Sequence, residues 1–348
     1  MKVVLFREHG GPEKLSYEDV PKPTIGPEEV LIRVKACALN HLDIWIRQGS
    51  PAYPMPLPHV LGSDVAGVVE AVGDHVESVR VESIKVGERV FVSPGMSCWR
   101  CNECLAGRDN FCRSYAILGA MTHGGYAEYV KVPFRNVLPI PGDLPFEQAA
   151  AFPLVSVTAW HMLFSLAQLR LGETVLIMGA GSGVGSVAVQ MANLAGARVI
   201  TTVGSDEKIP KAVLLGAQAV INHTTEKVTE RVKLLTEGRG VDVVIEHIGP
   251  QVWDNCMASL AKGGRLITCG ATTGADVKLD LRYVYSRQFT IKGSYMGTRA
   301  ELIQAAELVG RGKLKPVIDR IYPLREARAA QEQLVSRNFF GKIVLTMG

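Results

Sequence analysis

Residues 174 to 204 place the tightest constraint on how this chain can fold. An apolar run, Val175 to Met178, ends in four glycines within seven residues: Gly179, Gly181, Gly183 and Gly185. Gln190, Met191, Ala192 and Leu194 follow at helical spacing, and the β-branched run Arg198 to Val203 closes the unit. Strand, tight turn, helix and strand in that order form a βαβ unit of the kind that binds dinucleotides. Glycine is needed because the backbone turns sharply and approaches a pyrophosphate, whose charge rests on N–H groups at the helix start. A strict G-x-G-x-x-G cannot be laid on these glycines, because the register ending at Gly185 puts Ala180 and Ser182 at its first two glycine positions. Turns use glycine for many reasons, so the flanking strands and helix give the cluster its meaning.

The alternation continues beyond Gly204. Helices are expected over 206–215, 225–237 and 251–261, the last closed by Gly263-Gly264. Strands are expected at 219–222, Val241–Glu246, Arg265–Cys269 and Phe289–Gly293. Such a series implies a doubly wound parallel sheet with ligand at the carboxyl ends of its strands.

Residues 1–93 read differently, as short strands broken by Gly and Pro: Val3–Phe6, Leu15–Val20, Val30–Ala38, Asp64–Val72 and Arg89–Val92. That is the pattern of an all-β, barrel-like unit. Gly124 to Val130 returns to strand, helical spacing holds from Pro145 to Leu169, and a helix at 300–311 and the segment Gly341–Leu345 lead back to the first unit. At 348 residues two domains are expected, 1–149 with 295–348 and 150–294.

The seven cysteines are unevenly spread. Cys98-x2-Cys101-x2-Cys104-x7-Cys112 gathers four thiols in fifteen residues, within a lobe spanning 94–113. In a reducing compartment that is a metal site rather than two bridges. Four thiolates complete tetrahedral zinc and leave no open position, so one structural zinc is expected. The competing iron–sulfur spacing has its fourth cysteine three residues on, followed by proline, and here neither holds. Cys37, Cys256 and Cys269 read as small buried hydrophobes. A net charge of +4 without a basic run gives no footprint for nucleic acid. No apolar stretch reaches the ~18 residues of a membrane span, and the amino terminus reads as a strand, so an intracellular, cytoplasmic protein is expected.

The chain resembles the medium-chain dehydrogenase/reductase superfamily over its whole length. The resemblance is carried by Gly26-Pro-Glu-Glu-Val30, Asn40-His-Leu-Asp43, Leu61-Gly-Ser-Asp-Val-Ala-Gly67, Val86-Gly-Glu-Arg-Val90, the cysteine lobe, Gly125-Tyr-Ala-Glu128, Ala180-Gly-Ser-Gly-Val-Gly185, Leu215-Gly-Ala217 and Gly341-Lys-Ile-Val344. It implies an α/β protein with a GroES-like β-barrel catalytic domain, a Rossmann domain, a nicotinamide cofactor and a small-molecule substrate. It implies cofactor contacts from Thr158, from Gly181, Ser182, Gly183 and Val184 in the glycine loop, and from Gly270 and Lys342. It further implies a homodimer or homotetramer joined through the Rossmann edge strand, with no membrane partner.

Departures from the family pattern define the subtype. Zinc alcohol dehydrogenases ligate a catalytic zinc through Cys in G-x-C-x-x-D and His in Gly-His-Glu; here those places read Asn40, with Asp43 retained, and Gly62-Ser63-Asp64. The third ligand region, Phe152 to Trp160, offers neither Cys nor acid. Without soft or imidazole ligands nothing holds zinc tightly, and these stretches resemble the quinone-oxidoreductase branch instead. The expected catalytic residues are therefore Asn40, Asp43, Tyr53 and Asp64. Cys37, His41 and His59 leave open an unorthodox second metal site, with structural roles as the plainer reading; Asp43 and Asp64 read equally as braces.

The place after the second strand, where an acid would hold a ribose 2′-OH, reads Gly204-Ser205. With Ser205 and Lys208 nearby, and His223 implied by the resemblance, NADP(H) is favoured over NAD(H). Hydride transfer to a quinone, enone or enoyl thioester follows, because such acceptors delocalise the developing charge that zinc would otherwise stabilise. Two alternatives stay open: a zinc-type alcohol dehydrogenase with substitute ligands, and a nicotinamide-binding protein without turnover.

Overall fold

The computed structural model describes residues 1–51, 53–76 and 84–348. The chain forms two compact units: Met1–Leu154 with Thr298–Arg311 and Pro316–Gly348, and Val155–Gly297 with Gly312–Lys315.

In the second unit six strands form an all-parallel sheet, in the order Ala219–Asn222, Arg198–Val203, Thr174–Ile177, Val241–Glu246, Leu260–Thr268 and Thr290–Gly293. Val175, Leu176, Ile177, Val243, Val244 and Ile245 are all 0% exposed, as expected of central strands covered on both faces. The order reverses between Thr174–Ile177 and Val241–Glu246, so the loops leaving these two strands flank the switch point where such sheets bind ligands.

Three expectations need correction here. The helix Pro250–Ser259 ends before the glycine pair, and the next strand begins at Leu260. Val241 pairs with Leu260 but Val243 pairs with Arg265, so Gly263-Gly264 lies in a bulge of the strand, with Gly263 at φ 78°. Glycine suits a bulge for the reason it suits a helix end, freedom to take positive φ. The helical stretch 145–169 is broken into Phe146–Ala151, Pro153–Trp160 and a π-helical turn, His161–Leu166, because Pro153 cannot continue the first helix. By length and composition Phe146–Leu166 does reach the size of a membrane span, but 72% of its apolar window is buried inside the protein, as in a core helix.

The first unit is built on a seven-stranded, mostly antiparallel sheet centred on Glu29–Ala38. That strand pairs with Asp64–Val72, with Tyr129–Pro133 and, near its carboxyl end, with Lys342–Thr346. Ala38 faces both Asp64 and Val344, so residues far apart in sequence converge where Glu29–Ala38 gives way to helix His41–Gln48. Strand Ile318–Pro323 and helix Ala327–Ser336, neither apparent in the sequence, complete the carboxyl-terminal return. The cysteine lobe is tied to the same return: the buried Asp109 carboxylate accepts the Arg299 N–H at 3.1 Å, at the start of helix Arg299–Gly310.

Candidate functional site

At the junction between strand Glu29–Ala38 and helix His41–Gln48 lies a buried polar network. Asn40, Asp43, Asp64 and Lys342 are 6%, 1%, 0% and 4% exposed. The Asn40 Nδ2 donates to Asp64 Oδ2 at 2.9 Å, and the Lys342 ammonium donates to Asn40 Oδ1 at 2.6 Å and to Asp64 Oδ2 at 3.0 Å. Asp64 Oδ1 accepts the Leu154 N–H at 2.8 Å. Every oxygen of Asp64 is thus engaged, and its charge is matched by the ammonium.

Asp43 belongs to the frame of this network. One oxygen accepts the Asn40 N–H at 2.8 Å and the Tyr126 hydroxyl at 3.1 Å, and the other accepts the Gly62 N–H at 3.3 Å. Burial pushes its carboxyl up to about 6 against those hydrogen bonds. Tyr126 reaches Asp43 because residue 62 has no side chain. A Cβ on Gly62, at φ 104°, would lie 2.6 Å from the Tyr126 ring and 2.7 Å from the Cys37 sulfur. Tyr53 stands on a separate loop, half-buried, with its N–H bonded to Ser50.

The histidines near this region have structural surroundings. Burial pushes the His59 imidazole down to about 4, and its Nε2 lies 3.1 Å from the Gly119 carbonyl. His41 packs edge-on against Trp45, 5.1 Å between ring centres. Cys37 is fully buried, which raises its thiol well above the ordinary range.

The four clustered cysteines are brought together by the turn Cys98–Cys101, the short helix Asn102–Leu105 and the 3-10 turn Asp109–Phe111, which ends at Cys112. Their sulfurs all lie within 4.8 Å of one another, with Cys101 to Cys104 at 3.5 Å and Cys98 to Cys104 at 3.9 Å. Tetrahedral zinc at the usual ~2.3 Å bond length sets sulfurs about 3.8 Å apart, so the cage fits that ion. Backbone N–H groups of Arg100 and Cys101 pull the Cys98 thiol down to about 6, whereas burial pushes the Cys104 thiol up to about 12, so the ion itself would have to stabilise that thiolate. Among the described residues this is the one group of three or more His, Cys, Asp or Glu gathered closely enough to hold a metal.

In the second unit the glycine loop has the shape of a phosphate cradle. Gly179 takes φ 67°, its N–H donates to Thr202 Oγ1 at 2.9 Å, and its carbonyl accepts the Ser182 N–H at 3.0 Å. Ser182 caps helix Gly183–Leu194 by accepting the Gly185 N–H at 2.8 Å. A Cβ at Gly185 would sit 2.1 Å from the Gly179 carbonyl oxygen, so the turn closes only on glycine. Gly181, Gly183 and Val184 complete the loop at the helix start, where backbone N–H groups and the helix dipole favour an anion.

The neighbouring loop adds a residue that the sequence reading missed. His247 Nε2 lies 2.8 Å from Ser182 Oγ, and burial lowers its basicity. Buried Glu246 holds this loop by accepting the Gly249 N–H and the Thr268 hydroxyl, each at 2.6 Å. The one available signal was its place directly after a central strand of a parallel sheet. Gly270 is pressed to the same loop, since a Cβ there would meet the His247 carbonyl at 2.4 Å. Thr158 is buried in helix Pro153–Trp160.

At the end of Arg198–Val203, His223 covers Gly204, its ring 3.4 Å from where a Cβ would stand. Partial burial and nearby Lys208 push its imidazole below the ordinary value. Asp206, the nearest acid, accepts a 2.6 Å hydrogen bond from Asn222.

Comparison with known proteins identifies the family. Residues 183–311 match the family model of zinc-binding dehydrogenases, and residues 26–142 match that of the alcohol dehydrogenase GroES-like domain. A quinone oxidoreductase of Rattus norvegicus is 32% identical over 355 residues, spanning 100% of this chain and 98% of the rat protein. An NAD-dependent alcohol dehydrogenase of Sulfolobus acidocaldarius is 33% identical over 356 residues, 99% of each chain. A crystal structure of an NAD-dependent alcohol dehydrogenase is 45% identical and superposes with a TM-score of 0.94 over 100% of both chains. The similar proteins are named as enzymes, which removes support from a reading without turnover. Identity of this extent, with a dinucleotide cradle and a four-cysteine lobe in their expected places, makes the chain an oxidoreductase of the medium-chain dehydrogenase/reductase superfamily.

Proposed function

We propose that this enzyme reduces conjugated carbonyl compounds (quinones, enones or enoyl thioesters) with NADPH, at a centre built on Asn40 that uses no catalytic metal. The observation that carries this reading is the Asn40–Asp64–Lys342 network. Where a zinc-dependent relative would place a thiolate stands a carboxamide bonded to an ammonium 2.6 Å away. Of the two carboxylates beside it, Asp64 is already paired with that ammonium at 3.0 Å, and Asp43 is taken up by the Asn40 and Gly62 N–H groups and the Tyr126 hydroxyl. A fixed cation repels a divalent ion, and an amide is a poor ligand for zinc.

The nicotinamide cofactor, when bound, supplies the hydride. Its pyrophosphate would be held by the N–H groups of the loop Gly181–Gly185 with Ser182. Without a Lewis acid, the acceptor itself has to spread the developing charge. Asn40 steadies the enolate oxygen as a donor, and the α-carbon takes its proton from solvent or from Tyr53. Orientation then supplies much of the acceleration.

NADPH is preferred in this reading because Gly204 stands where an acid would bind the ribose, and Asp206 is engaged by Asn222. Ser205 and Lys208 follow Gly204 in sequence, and the His223 ring lies against Gly204 and close enough to Lys208 to feel its charge. We also infer a homodimer or homotetramer through strand Thr290–Gly293, which ends its sheet and follows the helix Leu281–Arg287 with its exposed Leu281, Tyr283 and Tyr285. All seven cysteines are unpaired, in keeping with a reducing, cytoplasmic setting.

The test is a panel of acceptors with purified protein, NADPH and NADH. Oxidation of NADPH by quinones or enones but not by plain ketones is expected, and the reverse pattern refutes the reading. A second reading, an alcohol dehydrogenase, has the support of the 45% identical structure of an NAD-dependent alcohol dehydrogenase; as a zinc-type enzyme it would carry a catalytic zinc besides the structural one. Metal analysis separates the two, at about one zinc per chain against about two.

A further inference from the structure

Resting on that reading, we propose that Lys342 is a catalytic residue, whose ammonium together with the Asn40 amide donates hydrogen bonds to the carbonyl oxygen of the acceptor as hydride arrives.

Counting donors leads to this assignment. An ammonium has three N–H groups and a carboxamide nitrogen two. Lys342 spends two, on Asn40 Oδ1 and Asp64 Oδ2, and Asn40 spends one, on Asp64 Oδ2. One N–H on each remains uncommitted among the described residues, side by side in a buried place. Buried donors are costly unless something accepts from them. Both groups keep a trace of exposure, 4% and 6%, while Asp64 beneath them has none. The two residues that carry uncommitted donors are thus the members of the network that keep most contact with its surroundings. Lys342 is also the one buried lysine among the described residues, fixed by two acceptors rather than swinging on its stem. A cation held rigid before the reaction stabilises a developing oxyanion without reorganising, which is where such donors gain most.

In the step proposed, hydride adds to the β-carbon, the alkene pair shifts, and the carbonyl π pair moves onto oxygen. Lys342 and Asn40 stabilise that oxygen and keep their protons. Water or Tyr53 then protonates the α-carbon, giving the saturated carbonyl; a quinone takes the equivalent proton on oxygen.

Two plainer roles compete: Lys342 only neutralises buried Asp64, or it binds a cofactor phosphate. The experiment compares wild type, Lys342→Met and the charge-balanced Lys342→Met/Asp64→Asn, which leaves no unpaired buried charge and so keeps the fold. Turnover is measured at saturating NADPH with an enone and a quinone, and NADPH affinity by fluorescence titration. Loss of one such donor costs about 10²–10³-fold in kcat. The double variant should lose that much, more with the enone, whose enolate is the more basic anion, while NADPH Kd stays within about threefold. Recovery of turnover in the double variant overturns the proposal in favour of charge neutralisation. A raised NADPH Kd with kcat preserved, or equal losses with both acceptors, overturns it too. Wild-type protein that reduces no conjugated carbonyl ends the functional reading and this one together. Turnover by wild type and double variant alike ends this one alone.

Discussion

Replacing Gly185 with alanine tests the cradle most directly. The added Cβ would stand 2.1 Å from the Gly179 carbonyl oxygen, whereas real Cβ contacts stay beyond 3.0 Å, so that oxygen has to retreat by the difference, roughly 0.9 Å. The same oxygen accepts the Ser182 N–H, and residue 185 gives its own N–H to the Ser182 hydroxyl. Opening the turn sacrifices both bonds, each worth about 1 kcal/mol. If the ordering of the turn is recovered only on binding, about 2 kcal/mol is withdrawn from cofactor affinity, a rise of about 30-fold in Kd. At a cofactor concentration of 100 times the wild-type Kd, ligand stabilisation falls from about 2.7 to about 0.9 kcal/mol. Fluorescence titration and thermal unfolding with and without NADPH read both numbers. A variant that folds, keeps its zinc and binds NADPH within threefold of wild type would refute the claim that this turn holds the pyrophosphate.

Other consequences are equally direct. Cys104→Ser, or stripping with a strong chelator, should remove about one zinc per chain and lower the melting temperature; unchanged stability after complete loss would deny the lobe a structural role. Asp43, with its carboxyl raised to about 6 in the fold, favours the native state most below pH ~4 and loses that contribution as pH rises through 6. The wild-type minus Asp43→Asn stability difference should therefore fall across that window by up to about 3 kcal/mol, and a flat difference excludes the assignment. Arg47 is 1% exposed, donates from Nε to Gln331 at 2.7 Å and also bonds the Gly10 carbonyl, so Arg47→Met should cost about 3 kcal/mol in urea unfolding by leaving both acceptors unpaired. Lys208→Glu should weaken NADPH at least tenfold while sparing NADH; equal effects would remove Lys208 from the ribose site.

Spacing along the chain was enough to locate whatever is built from neighbours in sequence. The turn from Gly179 to Gly185 and the cage of Cys98, Cys101, Cys104 and Cys112 each close within fifteen residues, so their chemistry is written in their intervals. Period alone likewise marked most strands of the parallel sheet, because a buried strand has to be apolar throughout. It misread Gly263-Gly264, since glycine permits positive φ equally at a helix end and in a bulge, and only pairing with Val241 and Val243 decides between them. Asn40 was visible as an anomaly, but its partners were not: Lys342 lies 302 residues away and Asp64 24. Tyr126 reaches Asp43 across 83 residues and His247 reaches Ser182 across 65. These meetings depend on strand register, above all on Ala38 facing both Asp64 and Val344, and register is fixed by how whole faces pack. The sequence by itself determined a two-domain α/β oxidoreductase with a dinucleotide loop and a cysteine cage. Tertiary structure alone decided that the cation beside Asn40 is an ammonium, because charges from opposite ends of the chain pair only once the sheet has brought them together.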